Sequence, residues 1–285
     1  MKTLACLSLL LSCGLAQVAD KANSGYKTPE GRQAVAKGLI APDRDNRQKP
    51  EELVQAMELQ PGMVVADIGT GAGYMLPFLS RAVGPTGRVV TFEPYKRSAD
   101  LIRLSIQANG YTNVDVVQAA VSDHDGKGSL YLSPDNWTEH SLLDLEHSKP
   151  AEDGYTAEVE FVRVDSALER LGHDFRVDIV KMDIEGGEWK AIKGMTKVIE
   201  QNPHITIMTE FWPQGFTRAG TTGRQYLEYL AGFGFKFQNM NMDTQKVEPM
   251  TIDEIDALIE ESKKRQFNDA IMSVWGWYTN LLCTR

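Results

Sequence analysis

The feature that most constrains this chain is a strand-like run that ends in glycines: Met63-Val64-Val65-Ala66-Asp67-Ile68, then Gly69-Thr70-Gly71-Ala72-Gly73, then a helical pattern. A buried strand feeding a tight glycine turn and a helix is the opening unit of a parallel α/β sheet. It brings bare backbone close to whatever lies beyond the strand's carboxyl end. Gly69 and Gly71 let the chain bend sharply and keep a Cβ out of a ligand's way, and Gly73 is expected to open the helix.

The spacing discriminates between ligands. Glycine at 69, 71 and 73 is G-x-G-x-G, whereas the dinucleotide turn is G-x-G-x-x-G, and position 74 is Tyr. Asp67 stands where a diphosphate would be repelled but a cationic sulfonium and an ammonium would be attracted. The expected cofactor is therefore S-adenosylmethionine, held at Asp67, Gly69, Thr70, Gly71 and Gly73. Glu93 ends the next strand, 26 positions after Asp67 and just before Pro94. A carboxylate there can accept both ribose hydroxyls of an adenosine; by itself it would be a routine acid at a helix start. Ala120 and Val121, at the exit of the third strand, are candidates to flank the adenine ring, with a plain strand-to-loop exit as the alternative.

Beyond Gly62 apolar runs of strand length alternate with helical periodicity, the pattern of a doubly wound, mostly parallel sheet with helices on both faces. Strands are expected at 63–68, 88–92, 114–120, 177–182, 205–210, 236–240 and 271–278. Helices are expected at 51–59, 74–83, 97–109, 187–200, 221–232 and 252–265. Residues 127–163 interrupt the alternation and read as a small antiparallel insertion around a polar loop.

In Lys181-Met182-Asp183-Ile184-Glu185-Gly186-Gly187-Glu188, Asp183 and Glu185 leave a strand end at the sheet edge where α/β folds bind ligands. They are the candidate catalytic residues, with capping of the next helix as the competing role. Glu210, followed by Phe211 and Trp212, is a third acid at the same edge.

Thirty Lys and Arg against 39 Asp and Glu give a net charge of -9, with no basic run to track phosphates, so a nucleic-acid partner is not expected. No metal site is expected either. The five histidines lack ligand spacing, and Cys6 and Cys13 lie in an apolar N-terminal stretch, leaving Cys283. That stretch, residues 3–16 after Lys2, is too short to span a bilayer and reads as an export signal. Cleavage before Gln17 or lipidation of Cys13 in Leu10-Leu11-Ser12-Cys13 would place the protein in a bacterial periplasm or on a membrane; an uncleaved cytoplasmic enzyme is the alternative. Residues 17–50 read as a linker and arm, and 51–285 as the main domain.

Taken in order, Asp67-x-Gly-x-Gly-x-Gly, Glu93-Pro94, Ala120-Val121-Ser122-Asp123, Val164-Asp165-Ser166-Ala167-Leu168, the Asp178-to-Glu188 run, Lys193-Gly194 and Thr209-Glu210 resemble the FkbM-type class I methyltransferases over about residues 63–212. The resemblance implies a Rossmann-like seven-stranded sheet and methyl transfer to a hydroxyl of a sugar or other small molecule. Residues 43–74, with Arg44-Asp45 and Pro61-Gly62-Met63, resemble a group of exported predicted methyltransferases. Rival readings are an RNA or protein methyltransferase on the same scaffold, and an exported binding protein without turnover.

Overall fold

The computed structural model describes residues 50–71, 73–132, 140–142, 156–172, 174–241, 246–265 and 278–285. The expected export signal at 1–16 and all of the arm except Pro50 lie outside them. In chain order the elements begin α1 (Pro50–Ala56), β1 (Val64–Ile68), α2 (Leu76–Val83), β2 (Arg88–Phe92), α3 (Lys96–Asn109), β3 (Val114–Val117), β4 (Ala120–Val121), β5 (Gly126–Tyr131) and β6 (Thr156–Val162). They continue α4 (Val164–Arg170), β7 (Ile179–Met182), α5 (Glu188–Lys193), α6 (Thr196–Gln201), β8 (Thr206–Phe211), α7 (Pro213–Arg218), α8 (Gly223–Gly232), β9 (Lys236–Asn241), β10 (Lys246–Met250), α9 (Ile252–Arg265) and β11 (Thr279–Thr284).

The main sheet has the order β10-β9-β11-β8-β7-β1-β2-β3. Pairing is parallel from β8 through β7, β1 and β2 to β3, and antiparallel where β11 enters between β8 and β9. Alternation along each strand divides the core. Val65, Val89, Ile179, Met208, Met240 and Leu282 face α1, α2 and α3, while Ala66, Val90, Val180, Ile207, Phe237 and Leu281 face α5, α6 and α8. Leu76, Leu79 and Val83 of α2, all fully buried, seat that helix. Each such side chain contributes on the order of 1.5–3 kcal/mol on burial.

Several elements depart from the sequence pattern for local reasons. Among the described residues the sheet has eight strands where seven are expected, because β10 adds an exposed edge that pairs antiparallel with β9. An edge strand carrying Pro249 needs no apolar face, so its sequence reads as loop. A strand forms at Thr279–Thr284, with exposed Tyr278 just before it; the expected strand at 271–278 lies, but for Tyr278, outside the described residues. The expected 114–120 strand breaks at Val117, where the Ala119 N–H turns back to the Val117 carbonyl at 3.0 Å. Ala120 and Val121 then join a second sheet, β4-β6-β5, in which β5 and β6 form the expected antiparallel pair.

The expected helix at 187–200 is two helices. A Cβ on Gly194 would lie 2.0 Å from the Ser122 carbonyl oxygen, so the chain passes there without a side chain and restarts as α6. The new start is capped from a distance, by Asp165 accepting from the Lys197 N–H at 3.1 Å and the Val198 N–H at 3.0 Å. Asp165 belongs to α4, a seven-residue helix too short to show a period; α7, with six residues, escapes the sequence pattern for the same reason.

Candidate functional site

Register brings the predicted residues to one edge. Ile68 pairs with Phe92 on one side and Met182 on the other, so Glu93 and Asp183, each one residue further on, flank Gly69. The Gly69 N–H donates to the Phe92 carbonyl at 3.3 Å, and the Asp183 N–H to the Ile68 carbonyl at 3.1 Å. β8, next to β7, brings Glu210 to the same edge.

The three turn glycines serve different ends. Gly69 has φ 79°, and a Cβ there would lie 1.8 Å from the Asp183 carbonyl oxygen. Its lack of a side chain therefore closes the turn against the neighbouring strand end. Gly71, at φ 56°, has nothing within 4 Å of a would-be Cβ, so open space for a ligand lies over it. Gly73 does not open the helix, which starts at Leu76; its φ of 83° ends the turn, and a Cβ would press on Leu76 at 3.0 Å and Ile102 at 3.1 Å. Thr70 is buried, its hydroxyl beside the Asp67 carboxyl.

Asp67 is fully buried beneath this turn, next to the Thr70 hydroxyl. Burial pushes its carboxyl above the ordinary range, and the charge of Lys181 pulls the other way. Lys181 Nζ lies 3.8 Å from Asp67 Oδ1 and 3.8 Å from Asp183 Oδ2, and donates to the Gly69 carbonyl at 3.5 Å. Burial disfavours this ammonium, but Asp183, Asp67 and Glu210 more than offset it and raise its pKa. The sequence pattern does not assign Lys181 a role, although a lone lysine inside the apolar run Ile179-Val180-Lys181-Met182 is a signal of a buried charge partner.

On the other side, Glu93 is 5% exposed and its Oε1 accepts from the Tyr95 N–H at 2.8 Å. Burial raises its carboxyl to about 8, against the lowering effect of the Tyr95 N–H. Its neighbour Tyr95 meets the His140 ring edge-on, with centroids 4.8 Å apart. Burial lowers the His140 pKa to about 4, so the ring is neutral near pH 7. Ser141 Oγ donates to the Glu185 carbonyl at 2.9 Å. The insertion thus touches both the Glu93 side and the Glu185 side of the edge, contacts that no spacing in the sequence announces.

Ala120 and Val121 are both buried, and Val121 belongs to the main core while Ala120 packs with Leu130 and Val159 near Tyr95.

Asp183 has a half-exposed side chain. It does not cap the following helix: the N-cap of α5 is Gly187, with no side-chain cap hydrogen bond. Glu188 instead braces the turn, its Oε1 accepting from the Ile184 N–H at 2.9 Å. Glu185 sits at φ 53°, a left-handed conformation that disfavours a side chain. One carboxylate oxygen each from Asp183, Glu185 and Glu210 lie within 4.8 Å of one another. Burial raises Glu210 well above the usual range, reinforced by the charges of Asp183, Glu185 and Glu188.

These residues fit S-adenosylmethionine. The buried Asp67 carboxylate, ion-paired with Lys181, suits a further positive group, Glu93 suits a pair of hydroxyls, and the space over Gly71 admits a ligand against bare backbone.

Residues 67–237 match the family model described as the methyltransferase FkbM domain. A protein-L-isoaspartate O-methyltransferase of Ignicoccus hospitalis is 40% identical over 65 residues, 23% of this chain and 31% of that protein. The catalytic subunit of a tRNA (adenine(58)-N(1))-methyltransferase from Cryptococcus neoformans is 30% identical over 91 residues, 30% of this chain and 21% of that protein. The chain spans about a third or less of the length of these curated relatives. Among solved structures, a SAM dependent methyltransferase from Aquifex aeolicus shares 15% identity at a TM-score of 0.43, over 88% of this chain and 96% of that one.

Proposed function

The chain belongs to the FkbM methyltransferase family, with S-adenosylmethionine as cofactor, and from that premise we propose that it methylates a hydroxyl oxygen of a small molecule or a sugar. The observation that carries this reading is the half-exposed Asp183 carboxylate, one lysine's span from the buried cofactor acid Asp67. When bound, S-adenosylmethionine supplies a methyl group on a cationic sulfur. Asp67 and Lys181 hold the glycine turn and the strand end of Asp183 in one electrostatic unit, and Glu93 orients the ribose. Asp183 takes the hydroxyl proton as the acceptor oxygen gains the methyl group, and Glu185 is the second candidate base. Alignment across this edge lowers the barrier by several kcal/mol in well-positioned reactions, roughly 7–11 at the upper end.

The acids Asp183 and Glu185 also argue against an RNA acceptor, whose phosphates they would repel. Incubation with methyl-labelled cofactor and a panel of sugars, small alcohols, isoaspartyl peptide and tRNA tests the reading. Label in a hydroxyl compound, lost in Asp183→Asn with cofactor binding intact, is the expected result. Label only in peptide or tRNA would overturn it.

A further inference from the structure

We propose that Glu188 is a positioning residue for methyl transfer: its buried carboxylate folds back on the turn after β7 and fixes where Asp183 and Glu185 stand. Glu188 is the first residue of α5 and is 1% exposed, and its Oε1 accepts from the Ile184 N–H at 2.9 Å. Ile184 lies between the two candidate bases, so this bond closes residues 184 to 188 into a ring on the backbone that carries both. The N–H groups of Gly186 and of Glu188 itself also favour the charged carboxylate. The turn needs such holding. Glu185 has φ 53° and Gly186 φ 91°. A side chain in left-handed backbone persists only where the surroundings impose it, and such residues gather at functional sites. Ser141 Oγ donates to the Glu185 carbonyl at 2.9 Å, and a Cβ on Gly215 would lie 3.0 Å from Gly186 Cα, so α7 passes directly against the turn.

Stability alone does not explain this acid. Among the described residues no lysine or arginine forms an ion pair with Glu188, Lys181 being held by Asp67 and Asp183. The titratable groups whose charge acts on it are Asp183 on the same turn, Glu210 on β8 and Tyr226 on α8, none of them a cation. A buried carboxylate without a cation costs more than an apolar side chain of similar volume, so what Glu188 contributes is the shape of the turn. Burial, with the charge of Asp183 adding to it, raises its carboxyl to about 7. Above that pH the ionised form accepts from the turn; below it a proton occupies one oxygen and the brace weakens. The catalytic role rests on the reading of Asp183 as the base; the brace itself does not.

The test compares the full chain with Glu188→Gln, which keeps an oxygen for the Ile184 N–H but no charge, and with Glu188→Ala, which keeps neither. Amide exchange across residues 183–187 and cofactor affinity need no acceptor. Turnover is followed from about pH 6 to pH 9 at saturating cofactor, so that ionisation of Glu93 drops out, with whichever compound of the panel takes the label. Glu188→Ala should exchange the turn faster and lose about tenfold or more in kcat, since small misplacements of a reacting group are costly, while binding cofactor within about threefold of the parent. The parent's kcat should fall below about pH 7, and that limb should be absent in Glu188→Gln. Glu188→Gln, close in shape, keeps the test open if Glu188→Ala does not fold. A limb near pH 7 that persists in Glu188→Gln, or exchange and kcat in Glu188→Ala equal to those of the parent, would overturn the proposal. So would a loss confined to the melting temperature, which would leave Glu188 an acid at a helix start and nothing more. Label found only in peptide or tRNA, with the limb and the exchange as expected, would count against the hydroxyl reading alone.

Discussion

Cofactor affinity should rise with pH, and Glu93 should be the cause. Its carboxyl, 5% exposed, sits at about 8 because burial penalises the charge. Two ribose hydroxyls donate best to the ionised form, so binding draws on the ionised fraction alone. That fraction is roughly half at pH 8, about a tenth at pH 7 and about 3% at pH 6.5, so the apparent dissociation constant should grow about tenfold per pH unit below about 7.5. Between pH 9 and pH 6.5 the weakening is on the order of 30-fold. Calorimetry in two buffers of different ionisation heat would show the slope and the proton released together. Glu93→Gln should bind weakly and lose the slope. A flat profile in the parent, or the same slope in Glu93→Gln, would refute the reasoning. Linkage fixes a companion sign. The folded pKa is raised above the ordinary 4.5, so the stability this group contributes is fully present below pH 4.5 and is lost as pH rises toward 8. Across that window the melting temperature of Glu93→Gln should gain on that of the parent.

Asp183→Asn should lower turnover about 100-fold or more while moving the melting temperature by only a few degrees, because a general base is worth roughly 10²–10⁴ and Gly187 rather than Asp183 stands at the helix N-cap. Near-normal turnover with an identified acceptor would remove Asp183 from the chemistry. Gly69→Ala should fail to fold or lose several kcal/mol, since its Cβ would lie 1.8 Å from the Asp183 carbonyl oxygen. Gly71→Ala, with open space around it and φ 56°, should cost only about 1–2 kcal/mol in thermal denaturation yet weaken cofactor binding. For the export proposal, intact mass of protein from a bacterial host should show a chain starting at Gln17 or at a lipidated Cys13; a full-length cytosolic chain starting at Met1 would remove it.

Much of the edge was legible because it depends on local pattern. Strand runs place Asp67, Glu93, Asp183 and Glu210 at strand ends, and parallel connectivity puts strand ends on one side of a sheet. The roles of the glycines were less legible. Gly71 faces open space as its type implied, but Gly69 is required by the Asp183 backbone, a contact across 114 positions of chain that no local pattern encodes. Short elements such as α4 and α7 and the edge strand β10 carry too few periods, or too little burial, to declare themselves.

The sequence by itself determined the unit from which the site is built, a buried strand, a G-x-G-x-G turn preceded by an acid, and a second acid at the end of the next strand, because hydrophobic period and glycine spacing are properties of neighbouring residues. Only the tertiary structure decided how those units meet. Insertion of β11 between β8 and β9, Lys181 between Asp67 and Asp183, Ser141 on Glu185, and the convergence of Asp183, Glu185 and Glu210 each depend on strand register and on loops returning from distant parts of the chain. Register is chosen by the packing of both faces of the sheet at once. Charges that are ordinary in the sequence acquire their perturbed affinities for protons only after that packing has taken water away.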